Sequence, residues 1–420
     1  MKIVYITDSF APESVGGAGQ VVLDLARGMM DQGHQVAVVT TTQYGERAGD
    51  DTFEGIQVIR IFSKQKSAFM RSYLSAVNPY IRGALITALE KIRPDIAHTH
   101  NVHEHFSFAS LRWVRSLGIP VYITLHDTLS FSYTRLYSFI DREDVHQSPP
   151  FDYRISTMHT IREVGKAFNP FRKRSIQKSL SYATMIFAVS RALKDALQQN
   201  GITGVSVLYN GVREDEFQAT PEEVARMRAV LSTHDRQVIL FGGRALQDKG
   251  AEVLLDAMPM VMAQCPRAHI VMAIERGAYR ERLLRIATQK GVAGAVSCID
   301  LVHGRERAAL FSSADVVVVP SIYFDPAPLM VLQAMAAGRP VIGTCFGGSS
   351  ELIDDGVTGF VCNPFNTSLM VNRLIELLCD KESARTMGAA GLQRMRAHFS
   401  HAAQIEHTLA MYSLALIKEA

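Results

Sequence analysis

The 420 residues are 47% hydrophobic and 20% charged, with a formal net charge of +3, a balance that fits a globular protein with room for two domains and gives no bulk electrostatic case for nucleic acid. Five cysteines, Cys265, Cys298, Cys345, Cys362 and Cys379, all lie in the second half without a C-x-x-C pair, which points to reduced thiols and a cytoplasmic setting. No apolar run reaches the ~18 residues that span a bilayer, and MKIVYITDSF has too short an apolar run for a secretory leader.

Lys2–Asp8 reads as a buried parallel strand. The loop after it, SFAPESVGGAGQ, carries Gly16, Gly17 and Gly19, and leads into a helix over Val21–Gly33 and a strand over His34–Thr40. Strand, glycine loop, helix and strand make a βαβ unit whose loop suits phosphate. It lacks G-x-G-x-x-G, so a dinucleotide is not expected. Gly55–Ile61 is a further strand, Asn78–Ile92 a helix, and Pro94–His100 a strand with a polar end. His98, His100, His103 and His105, with Glu104, have the composition of a metal cluster. No H-E-x-x-H or cysteine set accompanies them, so histidines satisfied by hydrogen bonds or lining a cleft are the reading preferred. Alternation places His98 and His100 on one face of their strand.

Ile119–Thr128 is a buried strand ending in His126 and Asp127. A polar group at that end faces the edge where α/β proteins hold ligands. Leu129–Tyr182 mixes aromatics with bases, including Arg172-Lys173-Arg174. It reads either as an amphipathic helical insertion packed on its own domain or as a contact for an acceptor or an anionic membrane surface. Thr184–Ser190 is a strand followed by a helix to Asn200. Val205–Val212 closes the first half, with Asn210-Gly211 as a turn signal.

Arg213–Arg236 reads as a linker plus a helix opened by Thr220-Pro221-Glu222-Glu223. Gln237–Gly250 then repeats the scheme of strand, glycine loop and helix. Gly243, Arg244 and Lys249 lie in that loop, and two cations beside exposed N–H groups make a diphosphate clamp. Ala268–Ile274, Ala295–Asp300 and Ala314–Pro320 are strands. The loop Tyr323–Pro328 joins the last of them to a helix over Leu329–Ala337, stopped by Gly338 and Pro340. The N–H groups around Ala327, Pro328, Leu329 and Met330 open that helix as a further anion site. Pro340–Thr344 and Thr358–Pro364 are the remaining strands, and helices run from Leu369 to Glu419.

The segments GGAGQVVLDLARGMMDQGHQVAVVT, PDIAHTH, ITLHD, YNGV, FGGRALQDKG, ADVVVVPS, LQAMAAGRPVIGT and GGSSELIDDGVTGFVCNP stand in this order along the chain. Together they resemble a retaining family 4 glycosyltransferase that uses a nucleotide sugar. The resemblance implies an α/β, GT-B architecture: two doubly wound, Rossmann-like domains facing a central cleft. Residues 1–212, completed by a helix over about 397–420, form the acceptor side, and 213–396 the donor domain. It implies transfer of a sugar from a UDP- or GDP-linked donor to a hydroxyl of a glycan, lipid-linked or small-molecule acceptor, with retention. No cofactor, metal or nucleic acid is expected. The expected location is cytoplasmic, or peripheral at the inner membrane face through Leu129–Tyr182.

By the same resemblance, Gly16 and Gly17 approach the donor phosphate, His126 meets the donor sugar, and Arg244 and Lys249 neutralise the leaving diphosphate. The family's hallmark is two glutamates, one on the transferred sugar and one on the ribose. This chain has Asp325 and Gln333 at those positions, with Ile274-Glu275-Arg276-Gly277 in place of a Gly-x-Gly turn and Asp300 where a glycine near the base is usual. These departures admit two alternatives: a weakly active or non-catalytic subunit supporting a partner, and another GT-B enzyme such as a nucleotide-sugar epimerase.

Overall fold

In the computed structural model, residues 1–13, 16–64, 66–244 and 246–419 are described. The chain divides into two compact units. Unit 1 comprises Met1–Ser138, Asp152–Asn210 and Gln404–Ala420. Unit 2 comprises Phe139–Phe151 and Gly211–Ala403.

Unit 1 is built on β1 (Lys2–Thr7), β2 (Gln35–Thr42), β3 (Gly49–Phe53), β4 (Ile56–Phe62), β5 (Ile96–His100), β6 (Val121–Leu125), β7 (Met185–Ala188) and β8 (Val205–Val207). Their order is β3-β4-β2-β1-β5-β6-β7-β8. Every neighbouring pair is parallel except β3–β4. Ile3, Val4, Tyr5 and Ile6 of β1 are fully buried, as expected for a parallel strand covered on both faces. The strand order reverses between β1 and β5, so the loops leaving their carboxyl ends diverge and open a ligand crevice. The edge strand β3, GDDTF, is almost wholly exposed. It lacks an apolar alternation to announce it, and its charges protect the sheet edge.

Unit 2 contains β9 (Gln237–Gly242), β10 (Ala268–Ala273), β11 (Val296–Ile299), β12 (Val316–Val319), β13 (Val341–Thr344) and β14 (Gly359–Cys362). All pairs are parallel, in the order β11-β10-β9-β12-β13-β14. Counted from β9, this is the doubly wound order 3-2-1-4-5-6, with its switch point between β9 and β12. Ile239 and Phe241 of β9, Val316 and Val318 of β12, and Leu254, Leu255 and Met258 of the helix Ala251–Gln264 share one core.

The units differ from the sequence-based boundaries in three places, at Phe139–Phe151, at Gly211 and at the return to unit 1. Phe139–Phe151 lies in unit 2, because Phe139 packs edge-on to Phe324 and Phe346 and Asn363 Nδ2 donates to Asp144 O at 3.1 Å. The return to unit 1 begins at Gln404. The helix Lys381–His398 stays with unit 2, where Gly388 comes so close to Gly338 that a Cβ would meet its carbonyl oxygen at 2.2 Å. Asn210-Gly211, read as a turn, leads instead into an extended crossing: Val212 N donates to Phe399 O (3.1 Å) and His401 N to Val212 O (3.0 Å).

Leu129–Tyr182 is not one amphipathic helix. Its α-helical parts are Thr157–Val164 and Arg172–Leu180. Phe131, Phe139, Phe151 and Tyr153 are buried, so these aromatics are spent on packing. Arg172 is buried too, donating to Ser75 Oγ, Ser132 O and Leu129 O and lying over the Tyr133 ring. The segment still presents Met158, Ile161 and Phe171 to solvent, with Lys173 and Arg174.

Candidate functional site

At the unit 2 switch point, two loops are pinned together. Gly250 has φ of 78°, and a Cβ there would fall 1.9 Å from Pro320 O. Only glycine permits that approach in that conformation. Ile322 N donates to Asp248 O at 2.9 Å. These contacts lay the turn Gln247–Lys249 after β9 against the loop after β12.

The result is an ion pair between a half-buried ammonium and a buried carboxylate. Lys249 Nζ donates to Asp325 Oδ2 at 2.8 Å and to Tyr323 Oη at 3.1 Å. Ser321 Oγ donates to the same carboxylate oxygen at 2.7 Å. Asp325 is 4% exposed. Burial opposes its charge, but Lys249 and the hydrogen bonds outweigh that and hold its carboxyl below the usual value. For Lys249, burial again opposes charge, and the field of Asp325 prevails and raises its ammonium. The backbone of Asp325 is fixed as well. Its N–H donates to Phe346 O (3.0 Å) and its carbonyl accepts from Gly348 N (2.9 Å). The intervening Gly347 leaves no space for a side chain.

Arg244 is exposed and has no side-chain hydrogen bond or ion pair among the described residues. It follows Gly243, whose φ is 131° and where a Cβ would lie 3.9 Å from Lys249 Cγ. The helix Leu329–Ala336 begins at Pro328 without a side-chain cap, so its positive end is open to an anion. Ala327, Leu329 and Met330 are half-buried there, as is Gln333 one turn further on. Met330 packs on β9, 3.3 Å from where a Gly242 Cβ would stand. Asp300, at the end of β11, is already engaged: Arg276 Nε donates to Oδ2 at 2.9 Å and Arg280 Nη1 to Oδ1 at 2.8 Å.

In unit 1, Gly16 caps the helix Gly17–Asp31 without a side-chain hydrogen bond. Gly17 is therefore the first helical residue rather than part of the loop. The loop residues Ser14 and Val15 lie outside the described residues. His126 Nε2 lies 2.8 Å from His100 Nδ1. His98 and His100 sit side by side, ring centroids 4.3 Å apart, as alternation requires. His98 is satisfied by Tyr412 Oη (2.7 Å) and Thr124 Oγ1 (2.8 Å). Burial is the main cause that keeps all three rings neutral, pushing His126 down to about 4 and His98 to about 3 and lowering His100 also.

The other two histidines go elsewhere. His103 Nε2 is 3.6 Å from Asp127 Oδ2, and His105 Nδ1 is 3.1 Å from Ser63 Oγ. No group of three or more potential ligands is placed to hold a metal among the described residues.

Three further polar residues that no sequence motif marks shape the two sites. Asp8, at the carboxyl end of β1, accepts from the backbone N–H of Glu104, His105 and Phe106 at 2.6–2.9 Å and so fixes the loop after β5. Its position at a strand's carboxyl end was the available signal. Ser321 and Tyr323 join Asp325 at spacings of two, which is the signature of one face of an extended segment.

Two family models match the sequence: Glycosyltransferase Family 4 over residues 15–216, and Glycosyl transferases group 1 over residues 225–394. An uncharacterised glycosyltransferase of Methanocaldococcus jannaschii is 28% identical over 372 residues, 87% of this chain and 86% of the relative. Sucrose-phosphate synthase from Thermosynechococcus elongatus superposes over 100% of both chains with a TM-score of 0.78 at 20% identity. HepE of Anabaena in complex with UDP gives a TM-score of 0.73 at 18% identity, over 98% of this chain and 100% of its own. The two parallel-sheet units thus have the GT-B fold.

Proposed function

We propose that this chain, whose two modules match glycosyltransferase family models and whose fold is GT-B, is a glycosyltransferase that moves a sugar from a nucleotide diphosphate sugar to a hydroxyl acceptor with retention of configuration. The observation that carries the reading is the Lys249–Asp325 pair at the unit 2 switch point, with the exposed Arg244 beside it. A bound diphosphate would meet Arg244 directly and the positive field of Lys249 and the Leu329 helix end. HepE was solved with UDP, which supports a uridine donor. Asp300 is committed to two arginines, which weakens the case for guanine recognition through that carboxylate.

In the proposed reaction the acceptor oxygen bonds to the anomeric carbon as the bond to the diphosphate oxygen breaks on the same face. The departing phosphate takes the acceptor's proton. Asp325 holds Lys249 and offers its remaining acceptor capacity to sugar hydroxyls. Neutral His126 offers a hydrogen bond to the sugar rather than a charge. The acceptor is a glycan, a lipid-linked sugar or a small molecule.

A peripheral position on an anionic membrane is part of the proposal. Phe69, Tyr73 and Phe171 are exposed, Tyr73 Oη donates to Phe168 O, and Lys173 and Arg174 stand alongside. Aromatics beside cations suit such a surface.

Thermal unfolding of the full chain with UDP, GDP and their glucose and mannose conjugates tests the reading. One nucleotide should stabilise it well above the others, and its sugar conjugate should be slowly hydrolysed. No stabilisation by any of them would overturn the donor site. Stabilisation without hydrolysis or transfer favours the second reading, a non-catalytic subunit, which Asp325 and Gln333 in place of two glutamates motivate.

A further inference from the structure

We propose that Cys265 and Cys379 form a dithiol–disulfide site in unit 2 that takes a small-molecule disulfide as its oxidant. The two Sγ atoms lie 2.9 Å apart although the residues are separated by 114 positions. All five cysteines are free thiols in this structure. The sequence gives no pairing signal, because the pair is made by the packing of two helices.

Cys265 ends the helix Ala251–Gln264, and Cys379 is the last residue of the helix Thr367–Cys379. These helices pack against each other and share the unit 2 core. Both ends are tied to the sheet. Ala268 N, which opens β10, donates to Cys265 O at 2.9 Å. Gln237 Nε2, at the start of β9, donates to Leu378 O at 2.5 Å. The two backbones are therefore held at the amino edge of the sheet, the opposite edge from Arg244 and Lys249, and the sulfurs meet with little freedom to separate. A bond between them would need only a small further approach.

Exposure orders the steps. Cys379 is exposed and Cys265 is 2% exposed. The Cys379 thiolate attacks one sulfur of the small disulfide, forms a mixed disulfide and releases one small thiol. Cys265 then loses its proton and attacks Cys379 Sγ, and the second small thiol leaves. Two protein thiols are oxidised and one small disulfide is reduced to two thiols, so electrons and protons balance. Burial, with the neighbouring Cys379, pushes the Cys265 thiol up to about 12. That makes the second step the slower one, and its enforced proximity is what lets it proceed.

The closed bridge encloses β10 to β14 and the helix Leu329–Ala336 in one loop. A loop of that size restrains the unfolded chain strongly. The donor edge itself gains no new contact, so oxidation should act on the durability of unit 2 and leave nucleotide affinity unchanged.

The test treats fully reduced, full-length protein with glutathione disulfide at about pH 8, where exposed thiols are partly ionised. Intact mass, non-reducing peptide mapping and thermal unfolding are then read. The expected result is a loss of two hydrogens, a cross-linked peptide pair holding Cys265 and Cys379, and a rise in the unfolding temperature of about 5–10 °C. Cys265→Ser should stop at a glutathione adduct on Cys379, and Cys379→Ser, a surface change, should show neither product. A stable adduct on wild-type Cys379 without the cross-link would overturn the proposal. So would an unchanged mass, or a bridge between other cysteines.

Discussion

Lys249 Nζ stands 2.8 Å from Asp325 Oδ2, and the two residues, 76 positions apart, neutralise each other inside the loop junction between β9 and β12. Breaking a buried pair from one side leaves an uncompensated charge. Asp325→Asn or Lys249→Met should each cost about 3–5 kcal/mol of unit 2 stability. The double variant Lys249→Met/Asp325→Leu should cost clearly less than the sum of the single changes. Urea unfolding of the four proteins measures this, and strict additivity would contradict a coupled pair.

Arg244 should behave in the opposite way. It is exposed and unpaired among the described residues, so Arg244→Ala should change stability by no more than about 0.5 kcal/mol. The same change should lower kcat/KM for the nucleotide sugar by about 100-fold or more. Steady-state kinetics beside a denaturation curve separates the two effects, and near-normal turnover would remove Arg244 from the diphosphate site.

Gly250→Ala probes the junction itself. The new methyl would press on Pro320 O in a left-handed conformation, so a loss of roughly 2–4 kcal/mol is expected, together with weakened nucleotide binding as Lys249 is displaced. Calorimetric unfolding and nucleotide titration of the variant check both parts.

Gln333→Glu should tighten a nucleoside diphosphate by about 3- to 10-fold, because a charged acceptor makes the stronger bond. The gain should disappear with a 2′,3′-dideoxy nucleotide. If it persists, the contact is not to the ribose.

Acid should unfold unit 1 first. His98, His100 and His126 are neutral in the fold because burial lowers them, while the unfolded chain takes up these protons near pH 6.5. Groups lowered in this way lose their contribution as pH falls from ~6.5 towards the folded value, on the order of 3 kcal/mol for His126 by pH ~4. Asp8 works against this trend, since burial raises its carboxyl despite His103 and the N–H groups of Glu104 and Phe106. In unit 2 the lowered Asp325 contributes until pH falls below about 3.8, and the raised Lys249 until pH climbs past about 10.5. Trp113, the single tryptophan, is buried in unit 1, so its fluorescence reports that unit alone. Its thermal midpoint should drop between pH ~6.5 and ~4.5, less steeply in His126→Asn.

Much of this was legible from local pattern. Runs such as KIVYIT and VVVV announce buried parallel strands through β-branched content, and Gly243 with Arg244 and Lys249 marked the first loop of unit 2. What stayed hidden depends on distance along the chain. Nothing local says that Lys249 will spend its charge on Asp325, or that Arg172, in the middle of a basic stretch, is an internal strut holding carbonyls of another loop. The strand β3 carries no local signal because its stability comes from pairing with β4, not from side chains it buries. Gly17 reads as loop because helix starts are marked by caps, and a glycine cap leaves no side-chain signature.

The path of the chain has a consequence for how the molecule is made. It passes from unit 1 to unit 2 at Phe139, back at Asp152, out again at Gly211 and home at Gln404. Tyr412, 314 positions after His98, supplies the hydroxyl beside it and the carbonyl oxygen that accepts from Tyr122. During vectorial synthesis the first sheet therefore emerges early but keeps an unsealed flank until the helix that carries Tyr412 follows it. Neither unit can be expressed as one uninterrupted stretch of sequence. A fragment ending near residue 210 would carry the histidine row with His98 Nδ1 stripped of its partner, a ready substrate for quality control rather than a working half.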